Sequence, residues 1–186
     1  MGRWEPDAAG RLARAALELY SERGFDQTTA LDIAERAGVT ERTFFRHFAD
    51  KREVLFDGSS ALLNAVVASI AAAPEASKPL DVMGQAMQSG TALLEERRDH
   101  ARLRAVAIAA HPSLQERELL KMSTLGEASA EALRARGVPS PAAELAADAG
   151  VAVFGRGFEA WIAPGETRTL AECIGDALAE LRRLTA

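Results

Sequence analysis

Apolar residues recur at three- and four-residue steps along almost the whole chain, and alternating apolar–polar runs of strand type are missing. Such spacing buries one stripe of a helix and cannot bury one face of a strand. Alanine, the strongest helix former, supplies about a fifth of the 186 residues, and only seven prolines interrupt the pattern. The expected fold is all-α, with about nine helices near 8–23, 30–36, 41–47, 51–73, 80–97, 100–109, 112–136, 141–163 and 168–184. Several boundaries carry their own chemistry. Gly24 supplies a left-handed stop after the first helix, and Asp50-Lys51-Arg52-Glu53 reads as a capping box opening the fourth. Pro74 and Pro79 separate the fourth helix from the fifth. Gly137-Val138-Pro139 closes the seventh, Ser140-Pro141 opens the eighth, and Ala163-Pro164-Gly165 breaks the chain before the last.

Composition narrows the class further. Apolar residues make up 48% and charged residues 26%, ordinary values for a packed globular chain. The single cysteine, Cys173, excludes an internal disulfide and a cysteine-based zinc site. Residues 1–7 are acidic and lack an apolar run, so they do not read as a signal peptide. The most apolar stretch, Leu62–Ala73, is short of the ~20 residues a membrane span needs, and a cytoplasmic, soluble protein is expected. Net charge is −5, but it is unevenly spread. Residues 1–52 carry nine basic and nine acidic side chains, and Arg42–Arg52 alone is +3. A local basic patch of this kind serves DNA binding even on an acidic protein.

The segment Thr28–Lys51, TTALDIAERAGVTERTFFRHFADK, carries the chemistry. Thr29 is placed to cap a very short helix, with Asp32 returning the hydrogen bond. Ile33, Ala34 and Ala37 face inward, Gly38 provides the left-handed residue of a tight turn, and Val39 plugs the angle between two helices. Thr40 caps the next helix, on which Phe44 and Phe48 repeat at i and i+4 and are expected to be buried. Two short helices joined by about three residues containing Gly make a helix-turn-helix. Glu41, Arg42, Thr43, Phe45, Arg46 and His47 surround the apolar seam. Arginine there bonds guanine bidentately, threonine meets a phosphate or a thymine methyl, and glutamate accepts from a cytosine amine. Lys51, at the expected start of the next helix, is suited to a phosphate. The alternative is an ordinary helical hairpin with a solvated face, which leaves the joint placement of two Phe, a His, the capped re-entry and Lys51 unexplained.

Residues 11–56 resemble the DNA-binding domain of the TetR/AcrR family of transcriptional regulators. The resemblance rests on Ala15-Ala16-Leu17-Glu18-Leu19-Tyr20, Gly24-Phe25, Thr28-Thr29, Ile33-Ala34, Ala37-Gly38-Val39-Thr40, Thr43-Phe44-Phe45, His47-Phe48 and Lys51. It implies an N-terminal three-helix helix-turn-helix domain over 1–50 and a helical effector-binding and dimerisation domain over 51–186. It further implies a recognition helix at Glu41–His47. Phosphate contacts then fall on Thr29, Thr40, Thr43, Phe45, His47 and Lys51, and base reading on Arg42, Arg46 and Glu41. Two departures stand out: Phe45 replaces the family's usual Tyr, removing a hydroxyl, and Leu31 sits where some relatives carry a basic residue. Leu31 is left with two roles, a thymine-methyl contact or simple packing. Arg3 is left with two readings, a minor-groove contact or a place in a disordered N-terminal arm, and the second is favoured.

The remainder is less specific. Ala146, Gly150, Phe154, Gly157 and Trp161 form one small-residue stripe, and Leu170, Cys173, Ile174, Ala177, Leu178, Leu181 and Leu184 form a second. Paired across a two-fold axis they would make a four-helix dimer seam, with Gly150, Phe154, Gly157, Trp161, Leu170, Ile174, Leu178 and Leu181 at the interface. The other possibility is that both stripes complete the protomer core. Phe56, Leu63, Met83, Met87, Arg102, Val106 and Leu125 are candidate effector-binding residues. Arg102–Ala105, His111–Leu114 and Arg134–Gly137 resemble a mycofactocin-regulator-like subgroup with an acyl-CoA-like ligand, which implies a long apolar effector whose anionic head meets Arg102 or Arg104.

No catalytic constellation is evident. His47, His100 and His111 are far apart, Cys173 lies in an apolar stripe, and neither a phosphate loop nor a nucleophile elbow is found. No metal or cofactor is implied. The expectation is a ligand-responsive regulator, a homodimeric repressor that binds a palindromic double-stranded DNA operator and is released by a small effector. The alternative from another class is an all-α small-molecule-binding or enzymatic module whose helix-turn-helix is structural only.

Overall fold

A computed structural model describes residues 7–184, and Arg3 lies outside them. Among the described residues there are nine α-helices and no strand: α1 (Ala8–Arg23), α2 (Ala30–Arg36), α3 (Glu41–His47), α4 (Ser59–Ala72), α5 (Pro79–Ser89), α6 (Arg98–Ala109), α7 (Pro112–Ala135), α8 (Ala142–Ile162) and α9 (Leu170–Leu184). The all-α expectation therefore holds, and most helix ends fall within two residues of their sequence signals.

The largest departures are at the expected fourth and fifth helices. Asp50 does cap, accepting from the backbone N–H of Arg52 (2.7 Å) and Glu53 (3.2 Å). It heads only one 3-10 turn, Glu53–Phe56, before Gly58 at φ 88° ends the run. Val54, Leu55 and Phe56 are all buried, and three successive inward side chains are incompatible with the single stripe of a continuous helix. The stretch Glu53–Ala72 is longer and more apolar than the sequence reading counted, with a mean hydropathy of 1.6. The break at Gly58 leaves α4 with 14 residues, about 21 Å of rise, whereas a bilayer's hydrocarbon core is ~30 Å thick. The expected fifth helix likewise ends at Ser89, and two 3-10 turns, Gly90–Leu93 and Glu95–Arg97, replace its second half.

The chain divides into two compact units. The first contains the described residues up to Gly58 together with 102–119, and the second contains 59–101 and the residues from 120 onward. The boundary thus lies beyond the expected 50/51 and is not linear. Lys51–Gly58 joins the first unit because Val54, Leu55 and Phe56 complete its core, and 102–119 joins it through Ile108 and Leu114. That core is otherwise made by Leu12, Ala16, Leu19, Tyr20, Ile33, Ala34, Phe44 and Phe48.

In the second unit, α8 packs on α9 and α5, and this packing overturns the expected dimer seam. Trp161, Leu170 and Ile174 are fully buried within the protomer, and Gly150, Phe154, Gly157 and Leu178 are buried beside them, with Leu181 half-buried against the same core. A Cβ on Gly157 would stand 2.7 Å from Ile174 Cα, and one on Gly150 would stand 2.6 Å from Met83 Cε. The small residues do permit close helix approach, but α9 and α5 of the same protomer make that approach. Thr169 and Glu172 form a reciprocal cap at the start of α9 (2.7 and 3.2 Å). Cys173 is buried in this core, and burial pushes its thiol pKa upward.

Candidate nucleic-acid interface

The site is built from three short elements of the first unit. Thr29 Oγ1 accepts from the Asp32 N–H (3.1 Å), and Asp32 accepts in return from the Thr29 N–H (2.8 Å) and hydroxyl (2.6 Å). Bonds from the Thr29 side chain and backbone, with Arg23 at 2.8 Å, hold the Asp32 carboxyl at about 2, well below its ordinary value. Gly38 at φ 70° reverses the chain after α2, and the Val39 N–H closes the turn onto the Ala34 carbonyl (2.9 Å). Thr40 Oγ1 then accepts from the Thr43 N–H (3.2 Å) and opens α3. Phe44 is fully buried and Phe48 nearly so, their rings 5.8 Å apart.

Burial of Phe44 fixes the orientation of α3. At 3.6 residues per turn, Arg42 and Arg46 stand roughly 160° around the helix axis from it. Both are exposed, and so are Thr40, Glu41, Phe45 and His47. Arg46 Nη2 lies 3.5 Å from His47 Nε2. Phe45 is 53% exposed and meets Phe44 edge-on at 5.2 Å, so it presents an aromatic surface without a hydroxyl. The structure thus brings Thr40, Glu41, Arg42, Thr43, Phe45, Arg46 and His47 onto one short rod, with paired guanidinium groups along its outer ridge.

The threonines differ in what they can offer a phosphate, which only accepts hydrogen bonds. Thr29 directs its hydroxyl proton to Asp32. The Thr40 and Thr43 hydroxyls are 3.0 Å apart and share one hydrogen bond, which leaves one proton of that pair for an outside acceptor.

Lys51 is placed differently from its expected role as an outward phosphate contact. Its Nζ donates to the carbonyl oxygens of Phe25 and Thr28, both at 2.8 Å, and lies 4.1 Å from the Phe25 ring centroid. Burial lowers the pKa of the ammonium, and two of its three donors are engaged. The Tyr20 hydroxyl donates to the Lys51 carbonyl (2.6 Å), and burial raises the pKa of that phenol. His111, expected to mark a helix start, does so by accepting from the Ser113 N–H (3.3 Å). It also packs on Phe25 (4.5 Å) and pairs with Asp26 (2.9 Å). The sequence reading missed this brace around Phe25, because its partners are separated by up to 85 positions and share no motif.

The candidate effector residues divide between the two units. Phe56, Arg102 and Val106 belong to the first unit, whereas Leu63, Met83, Met87 and Leu125 belong to the second. Val106 is 69% exposed, while Met83 and Met87 are fully buried core. Arg104 donates to the Leu55 carbonyl (2.6 Å), pairs with Glu118 (2.9 Å) and covers the Phe56 ring (4.9 Å). Arg134 pairs with Glu131 and Glu144, and Arg136 caps the Ala73 and Pro74 carbonyls (2.7 and 2.8 Å). Among the described residues no group of three or more His, Cys, Asp or Glu side chains is placed to hold a metal ion.

Comparison with known proteins agrees with this geometry. Residues 12–57 match the model of bacterial regulatory proteins of the tetR family. The HTH-type transcriptional regulator TcmR of Streptomyces glaucescens is 42% identical over 79 residues, 42% of this chain and 35% of TcmR. The match therefore spans about a third of that relative's length. The crystal structure of Thermus thermophilus FadR, a TetR-family transcriptional repressor in complex with lauroyl-CoA, is 25% identical, covers 94% of this chain and 93% of that one, and has a TM-score of 0.53. Bacillus halodurans FadR, a fatty acid degradation regulator, shares the fold with a TM-score of 0.62 at 13% identity, covering 96% of each chain. Residues 12–57 thus carry a tetR-family N-terminal domain, and the fold of the chain is similar to that of TetR-family regulators.

Proposed function

We propose that this chain is a homodimeric, ligand-responsive transcriptional repressor working on DNA in the cytoplasm. Each copy of α3 enters a major groove of a palindromic operator, one helical turn or a multiple from its partner. The observation that carries the proposal is the exposed Arg42–Arg46 ridge, set opposite the buried Phe44 on a capped, seven-residue helix. The two guanidinium groups suit guanine edges, while the Thr40–Thr43 pair, His47, Phe45 and the remaining donor of Lys51 suit the sugar-phosphate backbone. Thr29 contributes by fixing the start of α2.

Two copies would meet through the outer faces of α8 and α9, since the inner faces are already occupied. Leu145 is 66% exposed, Ala152 and Ala160 are exposed on the same helix, and Gly155 has open space where a Cβ would stand. Small side chains on an exposed helix face let a second helix approach closely. The proposed effector is small and largely apolar, of the acyl class that Thermus FadR binds. Its apolar chain would enter beside Leu63, half-buried at the edge of the core that holds Met83, Met87 and Leu125, which would have to repack to admit it. Release requires only that the effector favour the non-binding state by ~1–3 kcal/mol.

The test is selection of bound fragments from a random duplex pool by the full chain, followed by titration with lauroyl-CoA. A recovered palindrome, bound with steep salt dependence and released by the acyl-CoA, is the expected result. Failure to retain any duplex at low salt would restore the alternative of a structural helix-turn-helix.

A further inference from the structure

Leu31 is 46% exposed, whereas Ile33 on the same helix and Phe44 on α3 are fully buried. The packing role that the sequence left open for it is therefore not filled. The surroundings of α2 show why it stays uncovered. Ile33, Ala34 and Ala37 face the core of the first unit. A second side faces α1, where Asp32 pairs with Arg23 (2.8 Å) and Arg36 pairs with Glu22 (2.8 Å) and Glu18 (3.3 Å). The third side carries Leu31 and, four residues on, Glu35, both exposed. That side is covered neither by the core nor by the ion pairs with α1.

On that side the neighbouring exposed groups of the motif are polar or charged, apart from Phe45 on α3. A duplex is also polar and charged in its grooves, with one apolar group per A·T pair, the thymine 5-methyl in the major groove. Leucine has no donor or acceptor for a phosphate or a base edge. Its contribution to affinity comes from removing apolar surface from water, and the apolar group that a major groove offers in a sequence-dependent way is that methyl.

We infer that Leu31 is a specificity-determining residue, reading a thymine 5-methyl group in each half-site from the first turn of α2. It complements the guanine-directed ridge of α3 with a contact of opposite chemistry. The inference rests on the DNA-binding function proposed above.

The experiment replaces thymine by deoxyuridine, which lacks only the methyl, at each position of a duplex selected by the full chain. Wild type and Leu31→Ala are then titrated against every substituted duplex. The wild type is expected to lose about fourfold in affinity at one thymine per half-site, the factor for uncovering one methyl-sized group. Leu31→Ala is expected to bind the thymine and deoxyuridine duplexes equally at that position. It should keep its fold, because an exposed side chain is removed. A wild type indifferent to every deoxyuridine, or a Leu31→Ala variant that keeps the full penalty, overturns the inference while leaving DNA binding intact. Absence of any duplex binding by the wild type is a separate outcome that removes the proposed function and this contact together.

Discussion

Lys51 Nζ lies 2.8 Å from the Phe25 carbonyl oxygen and 4.1 Å from the centroid of the same residue's ring. One side chain thereby fixes both the backbone and the aromatic group of the α1–α2 connection, with Thr28 held by a second bond of 2.8 Å. Thr29, which follows directly, is the cap of α2. The position of α2 thus depends on a residue that follows α3.

Lys51→Ala should therefore destabilise the first unit as well as weaken DNA binding. Loss of the two charge-assisted bonds is expected to lower unfolding free energy by about 1–3 kcal/mol, measured by urea titration. Binding should fall uniformly across duplex sequences, with a shallower salt dependence. Unchanged stability would show that the two carbonyls do not need the ammonium.

Arg46→Ala removes an exposed guanidinium from the outer ridge of α3. Stability should stay within about 0.5 kcal/mol of the parent. Affinity for a selected duplex should drop by about 1–3 kcal/mol, with relaxed preference at one base pair. Equal affinity of variant and parent would remove α3 from the reading surface.

Acid should loosen α2 in a defined window. The Asp32 carboxyl sits at about 2, below its ordinary 3.8, mainly through the Thr29 bonds. A depressed carboxylate stabilises fully above its unfolded value, and the contribution disappears as pH falls through the folded value. The melting temperature of the wild type should exceed that of Asp32→Asn at pH 7, with the gap closing between pH 4 and pH 2. A gap independent of pH would assign the difference to something other than this carboxylate.

The two sides of α8 should respond oppositely to substitution. Gly157→Ala places a Cβ against the backbone of Ile174 and is expected to cost about 1–3 kcal/mol in overpacking. Ala152→Glu, on the exposed side, should leave the melting of the protomer unchanged while weakening self-association, read by sedimentation equilibrium. A dimer insensitive to charge at 152 would move the seam away from the outer face of α8.

Much of the helix-turn-helix was legible because its determinants are local. Thr29 and Asp32, Thr40 and Thr43, Gly38, and Phe44 with Phe48 act across two to four residues, and each took its expected position. The break at Gly58 was missed because the cap at Asp50 and the apolar run after it both favour continuing a helix. What ended the helix was the burial of Val54, Leu55 and Phe56 together.

Sequence by itself determined the all-α class, the capped α2–turn–α3 motif and the outward polar ridge, because capping, turn geometry and helical periodicity act over a few residues. Tertiary structure alone decided that Lys51 braces Phe25, that the Gly150–Trp161 stripe faces α5 and α9 of the same protomer, and that Leu31 remains open to water. Periodicity marks which stripe of a helix is buried; the partner that covers it depends on contacts distant along the chain, and no local spacing encodes them.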